Sequence, residues 1–480
     1  MMKHNRPVSS PVLVIDLDHT LLCTDMLPET FWSACSHNSL HIIRSAGALI
    51  KGKAALKRYL ADAATPDPAT LPYNPAVIHY IRTWRDQGGR TALVTASDQK
   101  IAELIAHHIN LFDEIHGSDG KINLKGEVKA QFLTHHFAAT GFAYIGDSAA
   151  DLPIWCQAQK AITVNASPAL QKKVAALGVV TEHLHHQTQT VAAYFQALRP
   201  HQWAKNSLVF LPMLAAHQFT GETWLQSVWA FIAFSLIASQ VYILNDLSDL
   251  AADRAHPRKR HRPLASGAVP LIHGMLLAAG LLCCSLVFAS YLGTWFVSSL
   301  LIYYVITTAY SFLLKRYPII DICVLSGLYT LRVVSGGIAT GITLSAWLMM
   351  FSVFIFFALA ALKRYTELVE NQQSDQLVMN RRGYDTGDTA LILPMVLSAG
   401  YVAILIIALY ISSPDIMRLY ATPEALWGVC ATLLYWINYV VMMTHRGQMH
   451  DDPILFAIKN RTSHICFLLI IASFIIGAWV

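Results

Sequence analysis

Asn245-Asp246-Leu247-Ser248-Asp249-Leu250-Ala251-Ala252-Asp253 closes an apolar stretch that begins near residue 223. The three aspartates are spaced three and four residues apart, so in a helix they share one face. Carboxylates gathered where an apolar helix ends repel one another and meet the negative end of its dipole. A merely solvated acidic helix end is therefore an unattractive reading. A divalent cation relieves the repulsion, and Mg²⁺, a hard ion, takes oxygen ligands and can bridge to a diphosphate. Asp246, Asp249 and Asp253 are the expected ligands.

Working outward, apolar runs beyond Ser207 lengthen to the roughly 20 residues that cross a bilayer. About nine such segments are expected, near 204–218, 223–245, 269–291, 293–314, 320–341, 345–362, 390–411, 425–443 and 463–480. Lys and Arg separate by loop. Arg254, Arg258, Lys259, Arg260 and Arg262 follow the second segment, and Lys315 and Arg316 the fourth. Lys363, Arg364, Arg381 and Arg382 follow the sixth, and Arg446, Lys459 and Arg461 the eighth. The intervening loops offer little beyond Arg418. The positive-inside rule then puts the even-numbered exits and the N-terminus in the cytoplasm and the C-terminus outside.

The rest of the chain is of another kind. Overall, 54% of the 480 residues are hydrophobic and 14% charged, against about 25% charged in ordinary soluble domains. The deficit is not even. Residues 1–180 carry charges throughout and apolar runs of four to six, and read as a soluble domain. Residues 181–198 read as a linker and 199–480 as the membrane domain. The net charge of +5 is modest, and no nucleic-acid partner is expected. The eight cysteines show no CxxC pair. No secretory signal is visible, since Val12–Ile15 is short and ends in an aspartate.

In the first domain, Val12–Ile15, Thr91–Val94, Phe142–Ile145 and Ala161–Val164 read as buried parallel strands separated by helices. Such a sheet places ligands beyond the carboxyl ends of its strands. Those ends hold Asp16 and Asp18, Thr95 and Ser97, Asp147 and Asp151, and Asn165.

The set Asp16-Leu17-Asp18-His19-Thr20, Thr95 and Gly146-Asp147-Ser148-Ala149-Ala150-Asp151 resembles the haloacid dehalogenase (HAD) phosphatases, over residues 10–180. The resemblance implies a Rossmann-like α/β domain with a small helical cap over residues 25–80. It implies Asp16 as nucleophile, Asp18 as acid and base, and Thr95 as phosphoryl donor. Asp16, Asp147 and Asp151 would hold Mg²⁺. Lys125, heading a Lys-Gly-Glu stretch, is favoured as the charge-neutralising lysine, with Lys129 the alternative. The family usually has glycine where this chain has His19.

The pattern around Asp246, with His256–Gly267 after it, resembles the UbiA prenyltransferases, an all-α multi-pass fold. The second aspartate motif of the aromatic prenyltransferases is missing. Lys363-Arg364-Tyr365-Thr366-Glu367 stands in its loop, with only scattered acids such as Asp375, Asp385 and Asp388 after it. Leu198–Asn206, Tyr310–Lys315 and Leu331–Gly337 are similar to the decaprenyl-phosphate phosphoribosyltransferases. That branch implies phosphoribosyl diphosphate (PRPP) and a polyprenyl phosphate as substrates. Lys205, Asn245, Lys259, Arg262, Tyr310, Lys315, Arg332, Lys363 and Arg364 would contact them. Arg332 has a competing reading as the partner of a buried acid such as Asp321. Asp451, Asp452 and Lys459 have no assigned role. A quinone-type prenyltransferase with an appended phosphatase is the first rival, and a lipid or ion transporter with a regulatory cytoplasmic domain is the second.

Overall fold

The computed structural model describes residues 11–38, 40–118, 124–185, 190–373, 383–414, 416, 419–449 and 452–479. Arg381, Arg382, Asp375, Arg418 and Asp451 lie outside them. Two compact units form. One joins Met1–Leu198 with Tyr242–Ala278, and the other joins Arg199–Val241 with Ala279–Val480. The first unit thus exceeds the soluble domain read from sequence by the segment that carries the three aspartates.

Its sheet has six parallel strands, β1 (Val12–Ile15), β2 (Thr91–Asp98), β3 (Glu114–Ser118), β4 (Phe142–Gly146), β5 (Lys160–Val164) and β6 (Val180–Leu184), in the order β3-β2-β1-β4-β5-β6. β1 lies between β2 and β4, with Leu13 opposite Thr91 on one side and Ala143 on the other. The connection after β1 runs to β2 and that after β4 runs the other way to β5, opening a crevice between β1 and β4 at their carboxyl ends. β1 and β4 are fully buried, as strands covered on both faces require. The four expected strands are present. β3 and β6 were not anticipated: both lie at sheet edges, where Glu114, His116, Glu182 and His183 interrupt any apolar run.

The expected cap is α1 (Met26–His37), α2 (Leu40–Ile50) and α3 (Lys53–Ala63). Asp25 begins it, accepting from the Leu27 N–H at 2.8 Å. The sheet is flanked by α4 (Pro75–Asp86), α5 (Gln99–Ile109) and α6 (Glu127–His136), among others.

Among the described residues, eight helices are long and apolar enough to cross a membrane. They are Gly221–Ser248, Leu271–Ser290, Thr294–Phe312, Ile320–Thr340, Ala346–Gln372, Thr389–Ile411, Pro423–His445 and Arg461–Ala478. The first of the nine expected spans is built differently. Pro200–Phe210 is a 3₁₀ run, continued by the short α-helix Leu211–Ala215. Pro212, inside the expected span, lacks the N–H that a continuous helix needs, whereas Pro200 stands at the first position of the run, where none is needed. At about 2.0 Å per 3₁₀ residue and 1.5 Å per α residue, the two pieces laid end to end in line would reach roughly 30 Å, a hydrocarbon thickness.

Candidate active sites

At the carboxyl end of β1, Asp16 accepts from the Leu17 N–H at 2.8 Å. The chain then turns sharply at His19, whose φ of 55° and ψ of 3° are left-handed. This is the conformation a glycine adopts without strain, so His19 keeps the turn at some steric cost. The turn presents Asp18, which accepts from the Met26 N–H at 2.9 Å and from the Ser97 hydroxyl at 2.8 Å. Thr95 is fully buried and its Oγ accepts from the Ser97 N–H at 3.0 Å.

Asp16, Asp147 and Asp151 each offer an oxygen, all within 4.8 Å of one another. Gly146 is required here, since a Cβ would lie 2.7 Å from Asp151 Oδ2. Burial pushes Asp147 up to about 8, with Asp16, Asp151 and Asp18 adding repulsion. Burial, then Asp25 and Asp16, raise Asp18 to about 7. An all-oxygen set whose members repel one another fits a hard divalent cation.

Lys125 was the favoured lysine, and the structure corrects this. Lys125 is exposed, ahead of α6. Lys129, the third residue of that helix and almost wholly buried, places Nζ 2.9 Å from Asp16 Oδ1. The same Nζ donates to the Tyr144 hydroxyl at 3.1 Å, which donates to Asp151 at 3.1 Å. Ser97 and Tyr144 were not assigned roles from sequence. Ser97 was visible as a strand-end hydroxyl, whereas Tyr144 sits inside an apolar strand and gave no signal.

In the same unit the three-aspartate segment is not one straight helix. Gly221–Ser248 ends before Asp249, and a new helix runs Leu250–Ala255. Asp246 and Asp253 are buried and converge on one nitrogen of Arg262, Nη1, at 3.0 and 2.6 Å. Burial raises Asp253 while Arg262 pulls it down. Arg262 therefore supplies a positive charge between two carboxylates, where a divalent cation would also be favoured. Asn245 accepts the Asp249 N–H through its carbonyl. Lys259 is exposed on a 3₁₀ turn.

The second unit holds a separate cationic cluster. Lys205 and Lys363 both reach Asp452 Oδ2, at 2.7 and 3.0 Å. Burial pushes the Asp452 carboxyl up, but Lys363 and Lys205 more than offset this and hold it well below the usual range. Lys315 is half-buried. Arg364 is corrected as a direct substrate contact. It is fully buried, with Nε on Asp321, Nη1 on Glu367 at 2.5 Å and Nη2 on the Tyr310 hydroxyl at 2.8 Å. Tyr310 is thereby tied to Arg364. Asp321 also accepts from Tyr384 at 2.5 Å. The pairing of Arg332 with Asp321 does not occur. Arg332 instead donates to Asn206 at 2.9 Å, the Leu328 carbonyl at 2.7 Å and the Tyr303 hydroxyl at 2.8 Å. Its guanidinium also lies over the Tyr303 and Tyr329 rings.

A carboxylate set at the end of an apolar helix, in a multi-pass helical domain joined to a phosphatase-like sheet, defines a fused membrane transferase and hydrolase. The chain belongs to the UbiA prenyltransferase family, whose model matches residues 207–479, and it also carries a haloacid dehalogenase-like hydrolase domain matched over residues 45–155. It is similar to the uncharacterized protein y4nM of Sinorhizobium fredii, 37% identical over 470 residues, covering 97% of this chain and 90% of that one. It is also similar to nodulation protein NoeC of Azorhizobium caulinodans, 33% identical over 277 residues, covering 57% and 90%. A third relative is the decaprenyl-phosphate phosphoribosyltransferase of Mycolicibacterium smegmatis, 39% identical over 184 residues. That match covers 37% of this chain and 58% of the mycobacterial protein.

Proposed function

We propose that the membrane domain transfers 5-phosphoribose from PRPP to a polyprenyl phosphate, and that the HAD domain then removes the 5-phosphate. The product is polyprenyl-phosphoryl-ribose, a pentose donor for cell-surface glycans. The observation that carries this reading is the pair Lys205 and Lys363 on Asp452. Lys363 stands in the extended helix Ala346–Gln373 rather than in a loop, at the place in the chain where an aromatic prenyltransferase has its second acidic motif. Two cations on one carboxylate suit a phosphate-rich donor and an anionic acceptor, and the phosphoribosyltransferase similarity supports the same substrates.

In the transfer, an oxygen of the lipid phosphate attacks ribose C1. The bond from C1 to the diphosphate breaks and diphosphate leaves. Asp246, Asp249 and Asp253 would hold Mg²⁺, which neutralises diphosphate charge. Arg262, Lys259, Lys205, Lys315 and Lys363 supply positive charge to phosphate oxygens. Asn245 holds the turn into Asp249 through its carbonyl. Arg332 and Tyr310 contribute polar contacts, with Arg364 fixing Tyr310.

In the phosphatase, Asp16 attacks phosphorus while Asp18 gives its proton to the departing ribose oxygen. Asp18 then takes a proton from water, whose oxygen attacks the aspartyl-phosphate and frees inorganic phosphate. A raised Asp18 holds the proton that the first step needs. Asp16, Asp147 and Asp151 would hold Mg²⁺, which would offset phosphoryl charge, and Lys129 sets a positive charge 2.9 Å from Asp16. Both sites face the cytoplasm of the inner membrane, with the C-terminus outside, if Pro200–Ala215 crosses as the ninth segment. Purified protein given PRPP, polyprenyl phosphate and Mg²⁺ should form the ribosylated lipid and release phosphate. Absence of label in the lipid phase overturns the reading.

A further inference from the structure

The cap helix α2 is turned inside out. Its packed face is small: Ser45 is buried, Ala48 half-buried, and His41 bonds Tyr59 at 2.6 Å. Ile42, Ile43, Leu49 and Ile50 share the opposite face, since residues seven apart return to one side of a helix. All four are exposed, Ile43 at 73% and Ile50 at 89%. Arg44 and Lys51, both exposed, border this face. An isolated exposed aliphatic residue needs no explanation, but four on one face mark an interaction surface.

A second observation says what covers it. Helix α1 precedes α2 and packs against it. Glu29 of α1 forms a bidentate ion pair with Arg254, at 2.6 and 2.9 Å, both side chains buried. Arg254 lies six residues beyond the end of the apolar helix Gly221–Ser248 and donates through Nε to the Ala265 carbonyl at 2.8 Å. Gly267 adds a close backbone approach, because a Cβ there would lie 2.7 Å from the Cys23 carbonyl. The cap is therefore fastened to the segment that emerges from a membrane span.

We propose that α2 is an interfacial helix: its isoleucine face enters the lipid surface on the HAD side of the membrane, with Arg44 and Lys51 at anionic headgroups. Apolar residues with bordering basic ones are the pattern of helices that lie in that plane. The phosphatase cap then sits at the level where a lipid-borne phosphate arrives. That consequence rests on the substrate reading above, whereas membrane insertion does not.

The test replaces Ile43 with photoreactive p-benzoylphenylalanine in the full chain and irradiates native membranes. The expected product is a chain joined to a lipid acyl chain. An adduct between two chains would assign the face to a second copy, and absence of a lipid adduct would overturn the proposal. In parallel, Ile42→Asn/Ile43→Asn/Leu49→Asn/Ile50→Asn protein is assayed in nanodiscs. Its KM for polyprenyl-phosphoryl-5-phosphoribose should rise about tenfold, while p-nitrophenyl phosphate hydrolysis stays unchanged. Equal loss on both substrates would mean a folding defect and overturn the role in lipid access. A lipid adduct without turnover of the ribosylated lipid by wild type would reject the substrate reading and leave the insertion standing.

Discussion

Lys129 Nζ stands 2.9 Å from Asp16 Oδ1, buried, four residues beyond the exposed Lys125. Four carboxylates gather at the ends of β1 and β4, and Lys129 is the lysine paired with Asp16, the proposed nucleophile. Lys129→Met should lower phosphatase kcat by about 10²–10³, the scale of losing a charge that stabilises a transition state. Lys125→Ala should stay near wild type. Hydrolysis of p-nitrophenyl phosphate, with circular dichroism to confirm folding, checks both. Equal loss in the two variants would reject the assignment.

Asp16→Asn should abolish phosphate release while ribosyl transfer continues. Asp16 belongs to the β1 carboxyl end, and the transferase carboxylates belong to a different segment. The lipid product should then accumulate with its 5-phosphate intact. Mass spectrometry of the extracted lipid reads this directly, and wild-type phosphate release would remove Asp16 as nucleophile.

The sheet and its site were legible because their signals are local. β1, β2, β4 and β5 are apolar runs ending in functional groups, and Asp16, Asp18, Thr95, Asp147 and Asp151 sit at those ends. The choice between Lys125 and Lys129 was not local. It depends on where α6 begins, and Gly126 at a φ of 57° starts the helix between them. The partner of Asp321 was hidden for a related reason: the sequence offered Arg332, and the structure puts Arg364 there. Both are buried cations in apolar helices, and only three-dimensional packing decides which one Asp321 neutralises. The broken segment at 200–215 carries its two prolines in plain view, but hydropathy alone ignores them.

Arg364→Met should act on stability rather than on donor binding. It leaves Asp321 and Glu367 without their shared guanidinium, and breaking a buried pair costs about 3–5 kcal/mol. Thermal unfolding in detergent should fall sharply, with at most a modest rise in KM for PRPP where Tyr310 loses its Arg364 partner. A raised KM at unchanged stability would return Arg364 to the substrate site.

Asp246→Asn and Asp249→Asn should each abolish transfer, as should excess EDTA added to wild type. Arg262 alone already balances part of the charge on Asp246 and Asp253. The fold should therefore survive chelation, and unfolding temperature should change little while transfer stops. Full transfer by either variant in EDTA would end the argument for a metal-held diphosphate.

The donor is the sharpest test, because a prenyl diphosphate and PRPP present the same diphosphate to the three aspartates. They differ in everything else. PRPP adds a 5-phosphate and ring hydroxyls, which call for cationic and polar partners. A prenyl chain calls for an apolar tunnel and a second acidic cluster for its metals. Here Lys363 meets Lys205 at Asp452 in place of such a cluster. Lys363→Met should therefore weaken use of PRPP or of the lipid phosphate, each lost charge-assisted hydrogen bond costing about 1.5–3 kcal/mol. Asp452 should tolerate the loss of one lysine, because Lys205 remains on the same oxygen at 2.7 Å. A catalytic defect without a stability defect is thus the expected signature, opposite to that of Arg364→Met. The assay supplies radiolabelled PRPP with polyprenyl phosphate in one tube, and prenyl diphosphate with 4-hydroxybenzoate in another. Label entering the lipid phase in the first tube, and less of it with Lys363→Met, is the expected result. Product in the second tube alone would make this chain a quinone-type prenyltransferase.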